Sequence, residues 1–204
     1  MGDVTTIGLG FQGNNANRFE SSILGQAPGS AAFYACVLVH VRESLLVAPT
    51  EAAYFGNFNN VDAGWELGRT FDTPASDPPN SPEIVTFRVR LGAGGITEEI
   101  FYSMDASTIF GRTHMLAVSV IGLVATLYLN GTAVAALTLG APLALGASRL
   151  TYGNRSGGGA RSGDPIVAAA YSDTDAADFI LNQRILFDRI RSGGNLASSI
   201  PALA

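Results

Sequence analysis

Cleaving a glycosidic bond takes two carboxylates facing one substrate, so the acidic residues are weighed first. A strand delivers such a pair through alternation, Glu-x-Asp-x-(x)-Glu, because every second side chain shares a face. No segment of this chain matches that pattern. Glu98 and Glu99 are adjacent, so a strand would point them to opposite faces. A carboxylate within about 5–9 Å of Glu66, Glu83, Glu98 or Asp105, in an open groove, would be needed to revive hydrolysis. Nucleophilic catalysis fares no better. The two histidines, His40 and His114, lie within or at the start of β-like runs, and no G-x-S-x-G motif accompanies them. Two histidines and the single Cys36 do not make a zinc set.

Asp173, Asp175 and Asp178 begin like an EF-hand loop, but position 177 is Ala and the following glycine is missing. Capping of a helix start accounts for them better. A resemblance to sandwich lectins, set out below, implies that Asp62, Asp72, Asp77 or Asp164 could serve a rim calcium, and nothing in the sequence selects among them. The run Arg155–Asp164 has the glycines of a phosphate loop without its Gly-Lys-Ser/Thr ending, and reads as a plain loop. No catalytic residue, no metal and no cofactor is expected. Aromatic residues near polar loops are candidates for stacking on sugar rings, because the C–H face of a pyranose suits an aromatic ring. Tyr54, Trp65 and Tyr152 are the candidate stacking residues, with Asn57 and Asn154 as hydrogen-bonding partners. A core role competes for each ring, most strongly for Trp65.

The elements that must position these side chains are strands. Met115–Ser148 carries no charge, yet it is broken at Gly122-Leu123 and Asn130-Gly131. These are two-residue hairpin loops, whose backbones tolerate positive φ. The spacing predicts three antiparallel strands over His114–Leu139 rather than a membrane helix. Ala31–Glu43 predicts a strand with Phe33, Ala35, Val37, Val39 and Val41 on one face. Shorter strands are expected at Val4–Phe11, Ala53–Asn57, Trp65–Phe71, Arg149–Gly153 and Ile166–Tyr171. A hairpin, Glu83–Leu91 with Thr97–Met104, should turn around Gly92–Gly95. Gln12–Ser30 and the four-proline stretch Thr73–Pro82 read as loops. A helix over 174–191 should bury Phe179, Leu186 and Ile190, and Gly193-Gly194 should stop it.

His114–Ala136 (HMLAVSVIGLVATLYLNGTAVAA) resembles the central hairpins of the laminin-G/concanavalin A-like lectin superfamily, "H-x-A-V-x-V", a turn, then "x-L-Y-x-N-G". Gly64–Leu67 (GWEL), Leu150–Asn154 (LTYGN) and Ile166–Tyr171 (IVAAAY) resemble further strands of that family, so the likeness covers about Tyr54–Arg191. It implies an all-β, concanavalin A-like jelly-roll sandwich of two antiparallel sheets with one short C-terminal helix. It brings no catalytic or ligand residue with it. The domain organisation expected is an N-terminal strand and arm at 1–30, the jelly-roll domain at 31–192, and a tail at 193–204.

Composition bounds the function. A net charge of −5 across 204 residues argues against a nucleic-acid surface. All 12 basic residues are arginine, and with abundant Ala and Gly this suggests a GC-rich bacterial or phage genome. No secretory leader is read at the N-terminus, and one cysteine allows no internal disulfide. A lectin-like fold made in the cytoplasm fits a virion component. The expected function is therefore a non-enzymatic lectin-like decoration protein of a capsid or tail. Its partners would be its own subunits, other virion proteins or a host glycan, with no nucleic acid and no membrane insertion. The alternatives are a purely structural cement or fibre-base protein, and a glycan-cleaving enzyme on the same fold. Mean hydropathy of +0.25 and an apolar C-terminal tail favour a homo-oligomer or lattice.

Overall fold

The computed structural model describes residues 4–5, 19–24, 32–42, 51–58, 63–71, 84–144, 149–153, 164–172 and 178–191. Among the described residues, twelve strands form two antiparallel six-stranded sheets. The first sheet has the order β1 (Val4–Thr5), β12 (Ile166–Ser172), β3 (Ala32–Val41), β8 (Arg112–Ile121), β9 (Val124–Leu129), β10 (Thr132–Thr138). The second has the order β2 (Phe19–Leu24), β11 (Arg149–Tyr152), β4 (Glu51–Gly56), β5 (Trp65–Phe71), β6 (Ile84–Ala93), β7 (Ile96–Asp105). This is the concanavalin A-like jelly-roll sandwich with a short C-terminal helix.

The expected meander is present. β8, β9 and β10 are joined at Gly122-Leu123 and at Asn130-Gly131, where Asn130 has φ 53° and Gly131 φ 80°. Two successive positive φ values match the right-handed twist of the flanking strands. The Asn130 side chain reinforces the turn, its Oδ1 accepting from the Met115 amide at 3.0 Å. The β6–β7 hairpin turns more tightly than expected, at Gly94-Gly95, because pairing continues to Ala93–Ile96.

Alternation fills the space between the sheets. Phe33, Ala35, Val37, Val39 and Val41 of β3 meet Trp65, Leu67, Phe87, Val89 and Leu91 of the second sheet in one core. The opposite face of β3 is buried as well. Tyr34, Cys36 and Leu38 pack with Met115, Ala117, Ala168 and Ala170 beneath helix α2 (Phe179–Arg191), which contributes Phe179, Ile180 and Phe187. Each of the fully buried Val, Leu, Phe and Met side chains among them stabilises the fold by roughly 1.5–3 kcal/mol.

Three expectations are corrected. Phe19–Leu24, placed in a loop, is a strand, its backbone paired antiparallel with β11. A one-turn helix, α1 (Ala106–Ile109), interrupts the passage from β7 to β8; Asp105 caps it by accepting from the Ser107 amide at 2.8 Å. In α2, Phe179 is buried as expected, but Ile180 and Phe187 are buried more fully than Leu186. The Ile190 side chain and the capping candidates Asp173 and Asp175 lie outside the described residues.

Candidate carbohydrate-binding face

The residues singled out for sugar stacking occupy the core. Tyr54, Asn57, Trp65 and Tyr152 are all sealed from solvent. Trp65 packs on Phe33 and edge-on against Phe55, with ring centroids 5.0 and 4.9 Å away. Tyr152 stacks on Phe55 at 4.9 Å. A register shift between Ala53 and Phe55 turns two consecutive aromatics, Tyr54 and Phe55, into the core. Asn57 folds back to accept the Trp65 amide at 3.0 Å through Oδ1. With no ring face open, these four cannot form a sugar platform. Asn154 lies outside the described residues.

Tyr54 belongs instead to a buried polar lock. Its hydroxyl donates to Asp164 Oδ2 at 2.7 Å, and Arg69 donates to both carboxylate oxygens at 2.7 and 3.2 Å. The Arg42 amide adds a further donor at 2.8 Å. Burial and the adjacent Asp164 push the Tyr54 hydroxyl well above its ordinary range. Asp164, a rim-calcium candidate, is thus occupied in joining β3, β4 and β5 to the start of β12. Asp62, Asp72, Asp77, Asp173 and Asp175 lie outside the described residues, and no group of metal ligands occurs among the described ones.

Both histidines are structural. His40 Nδ1 lies 3.1 Å from the Thr113 hydroxyl. Buried His114 donates through Nε2 to the Ile109 carbonyl at 3.1 Å, and its Nδ1 accepts from Asn130 Nδ2 at 3.3 Å. The Cys36 thiol, buried under α2, is pushed far above its ordinary range by desolvation.

The polar chemistry lies on the outer face of the second sheet. Alternation sends Val85, Phe87, Val89 and Leu91 of β6 inward, and leaves Thr86, Arg88 and Arg90 outward. On β7, Ile100, Tyr102 and Met104 pack on the core, which leaves Glu99, Phe101 and Ser103 outward beside them. Arg88 pairs across β5 with Gly68. With no side chain there, its guanidinium reaches Glu51 of β4, gripping both carboxylate oxygens at 2.9 and 3.2 Å. Arg88 also approaches Glu66 at 3.4 Å and Glu99 at 3.9 Å. Arg90 joins Glu99 through Nε and Glu51 through Nη2 at 3.2 Å, and lies 5.8 Å from the ring of Phe58. Thr86 and Ser103 hydroxyls pair at 2.8 Å.

Glu51 and Glu66 both contact one nitrogen of Arg88, at 3.2 and 3.4 Å, so they are close enough to be weighed as a hydrolase pair. The open-groove condition fails, since Glu66 is buried. Glu98 faces away from this cluster, accepting the Gly140 amide at 2.8 Å, as its adjacency to Glu99 predicts. Beside the ion pairs, Phe101 stands 48 % exposed, opposite Arg88 in the register. Phe101, Arg88, Arg90 and Glu51 were missed in the sequence. The available signal was an aromatic on the polar phase of a strand whose apolar phase was already filled.

No protein-family model matches the chain, and no curated protein matches it. Solved structures do resemble it in fold. The binding domain of Paraclostridial Mosquitocidal Protein 1 superposes with a TM-score of 0.57 at 11% identity, over 90% of this chain and 46% of that one. The enzymatically active domain of bacteriophage CBA120 tailspike protein 2 gives 0.59 at 14% identity, over 90% and 29%. The CBM40 of Ruminococcus gnavus IT-sialidase, bound to α2,3-sialyllactose, gives 0.50 at 14% identity, over 80% and 94%. The chain thus spans less than half the length of the first two.

Proposed function

We propose that this protein is a non-enzymatic lectin-like module that binds glycan through the outer face of its second sheet. The observation that carries this is Phe101, an open aromatic ring flanked along β7 by the partly exposed Glu99 and the exposed Ser103. Ring stacking with hydrogen-bonding groups around it is the chemistry a pyranose requires. The sialyllactose-bound CBM40 supports a sugar-directed role on this architecture, and the phage tailspike domain supports placement on a phage or phage-like particle. A binding role is preferred to hydrolysis because Glu51, Glu66 and Glu99 are each held by a guanidinium, with Glu66 buried. An array of bacterial surface glycans tests the proposal. Saturable binding without cleavage of the bound glycans is expected; no binding to any glycan would overturn it.

A second reading, a structural virion protein, is favoured by a different feature. Ile121, Leu123 and Val124 form an exposed apolar corner beside β10, an edge strand without a charged residue. Such an edge is suited to pair with another chain. Light scattering at micromolar concentration tests it, with a homo-oligomer expected and a clean monomer counting against it.

A further inference from the structure

The outermost strands of the two sheets differ in how well they are protected, and the difference points to a partner. We infer that β10 pairs antiparallel with β10 of a second copy of this chain, about a two-fold axis at Leu137. The inference rests on the structural-protein reading of β10. An open strand edge invites pairing unless it is short, charged or covered. Among the described residues, β1 offers only Val4–Thr5. β2 carries Glu20, and β7 carries Glu98, Glu99 and Asp105. β10 alone is both long and neutral, reading TAVAALT over seven residues. A two-fold axis sets a strand against its own image, so charges on the strand would meet like charges. β10 has none to oppose, which suits it to a second copy.

Backbone direction fixes the register. The Leu139 amide donates to the Leu123 carbonyl at 2.8 Å, so Leu139 faces β9. Alternation along an antiparallel strand then turns Leu137 and Ala135 toward β9 too, and turns Ala136 and Thr138 to the free side. The Gly140 amide continues the outward phase and is taken by Glu98 at 2.8 Å, which closes the ladder at that end. At the other end, the register shift between Ala133 and Ala135 breaks it. The segment left for pairing is Ala135–Leu139. Centred on Leu137, it sets Ala136 of each copy against Thr138 of the other, and both pairs exchange two backbone hydrogen bonds. Leu137 then meets its own counterpart at the closely spaced position, with Cα atoms about 4.5 Å apart. Leu137 is half-buried against the core between the sheets, so this contact carries the core across the axis. On the outer face, the uncharged row Ile121, Val124, Thr138 runs on into Ala136 of the second copy.

Sedimentation of the full chain at micromolar concentration tests this, with twice the monomer mass of 21.2 kDa expected. Thr138→Pro removes an amide that β9 does not use, so the fold should hold while the new ladder loses a donor. That variant should sediment as a monomer. Ala136→Lys, at an exposed position, should do the same through charge, and replaces the proline variant if the latter unfolds. Leu137→Cys treated with oxidised glutathione should give a disulfide-linked dimer, since the counterparts at the axis lie within disulfide reach. Ala133→Cys, beyond the register shift and far from the axis, should stay unlinked. The native Cys36 is buried and does not compete. A wild-type monomer would overturn both this inference and the structural-protein reading. Folded Thr138→Pro and Ala136→Lys that keep the wild-type mass would overturn the β10 joint and leave assembly through another surface standing. An unlinked Leu137→Cys in a dimer that Thr138→Pro dissolves would overturn the two-fold register.

Discussion

Arg69 and Asp164, 95 residues apart in sequence, meet at 2.7 Å with almost no solvent contact for either side chain. The pair is sheltered by Tyr54 and by the Arg42 amide, so the carboxylate has donors on several sides. Taking one partner away strands a buried charge. Asp164→Ala should destabilise the fold by about 3–5 kcal/mol, and Arg69→Met by a similar amount. The double replacement Arg69→Met with Asp164→Ala should cost less than the two single changes together, because no lone charge remains. Urea unfolding of the four proteins checks this; additive costs would show that the two residues act independently.

Alkaline stability should be governed by two buried groups. Both Cys36 and Tyr54 hold their protons in the folded state well above their ordinary values of 9.0 and 10.0. The unfolded chain ionises first, so it binds fewer protons than the native state as the pH rises. Stability is therefore complete below about pH 9 and declines above it, by about 1.4 kcal/mol per pH unit for each group. Urea midpoints at pH 8, 9.5 and 10.5 read this directly. Cys36→Ala should flatten the first part of the decline, and Tyr54→Phe the part above pH 10.

Asn130 does two jobs in the β8–β9–β10 meander, taking φ 53° and bonding both Met115 and His114. Asn130→Ala should cost about 1–2 kcal/mol, since it loses the bonds and strains the backbone. Asn130→Gly loses the bonds but relaxes φ, so it should cost less. Thermal melts decide between them; an equal cost would show that strain contributes nothing.

The meander was legible because Gly122-Leu123 and Asn130-Gly131 are local signals. So was the β3 face, where period-2 alternation runs from Phe33 to Val41. Phe19–Leu24 was not, because a short strand without clean alternation takes its pairing from β11, more than a hundred residues later. The candidate site failed for the same reason. Tyr54, Trp65 and Tyr152 look alike as core or platform in one dimension, and the bulge that turns Tyr54 inward has no local signature. The outer-face cluster draws on β4 through β7, and its assembly depends on the register that sets Arg88 against Gly68 and Phe101.

That register gives Gly68 a specific duty. A side chain there would collide with the Ala52 carbonyl oxygen and displace β4, the strand that carries Glu51. Gly68→Ala should lower stability by about 1–3 kcal/mol and weaken glycan binding as well. Equal affinity in a destabilised variant would separate the glycine from the site.

The central claim, that the outer face of the second sheet is the glycan-binding surface, is tested most directly by NMR titration. Amide shifts would be followed as the strongest array hit is added to the labelled protein. The account predicts the largest shifts in Glu99–Ser103, Thr86–Arg90 and around Glu51, with β8, β9 and β10 unmoved. Shifts confined to the Ile121–Val124 corner or to α2, with Phe101 and Arg88 silent, would contradict it.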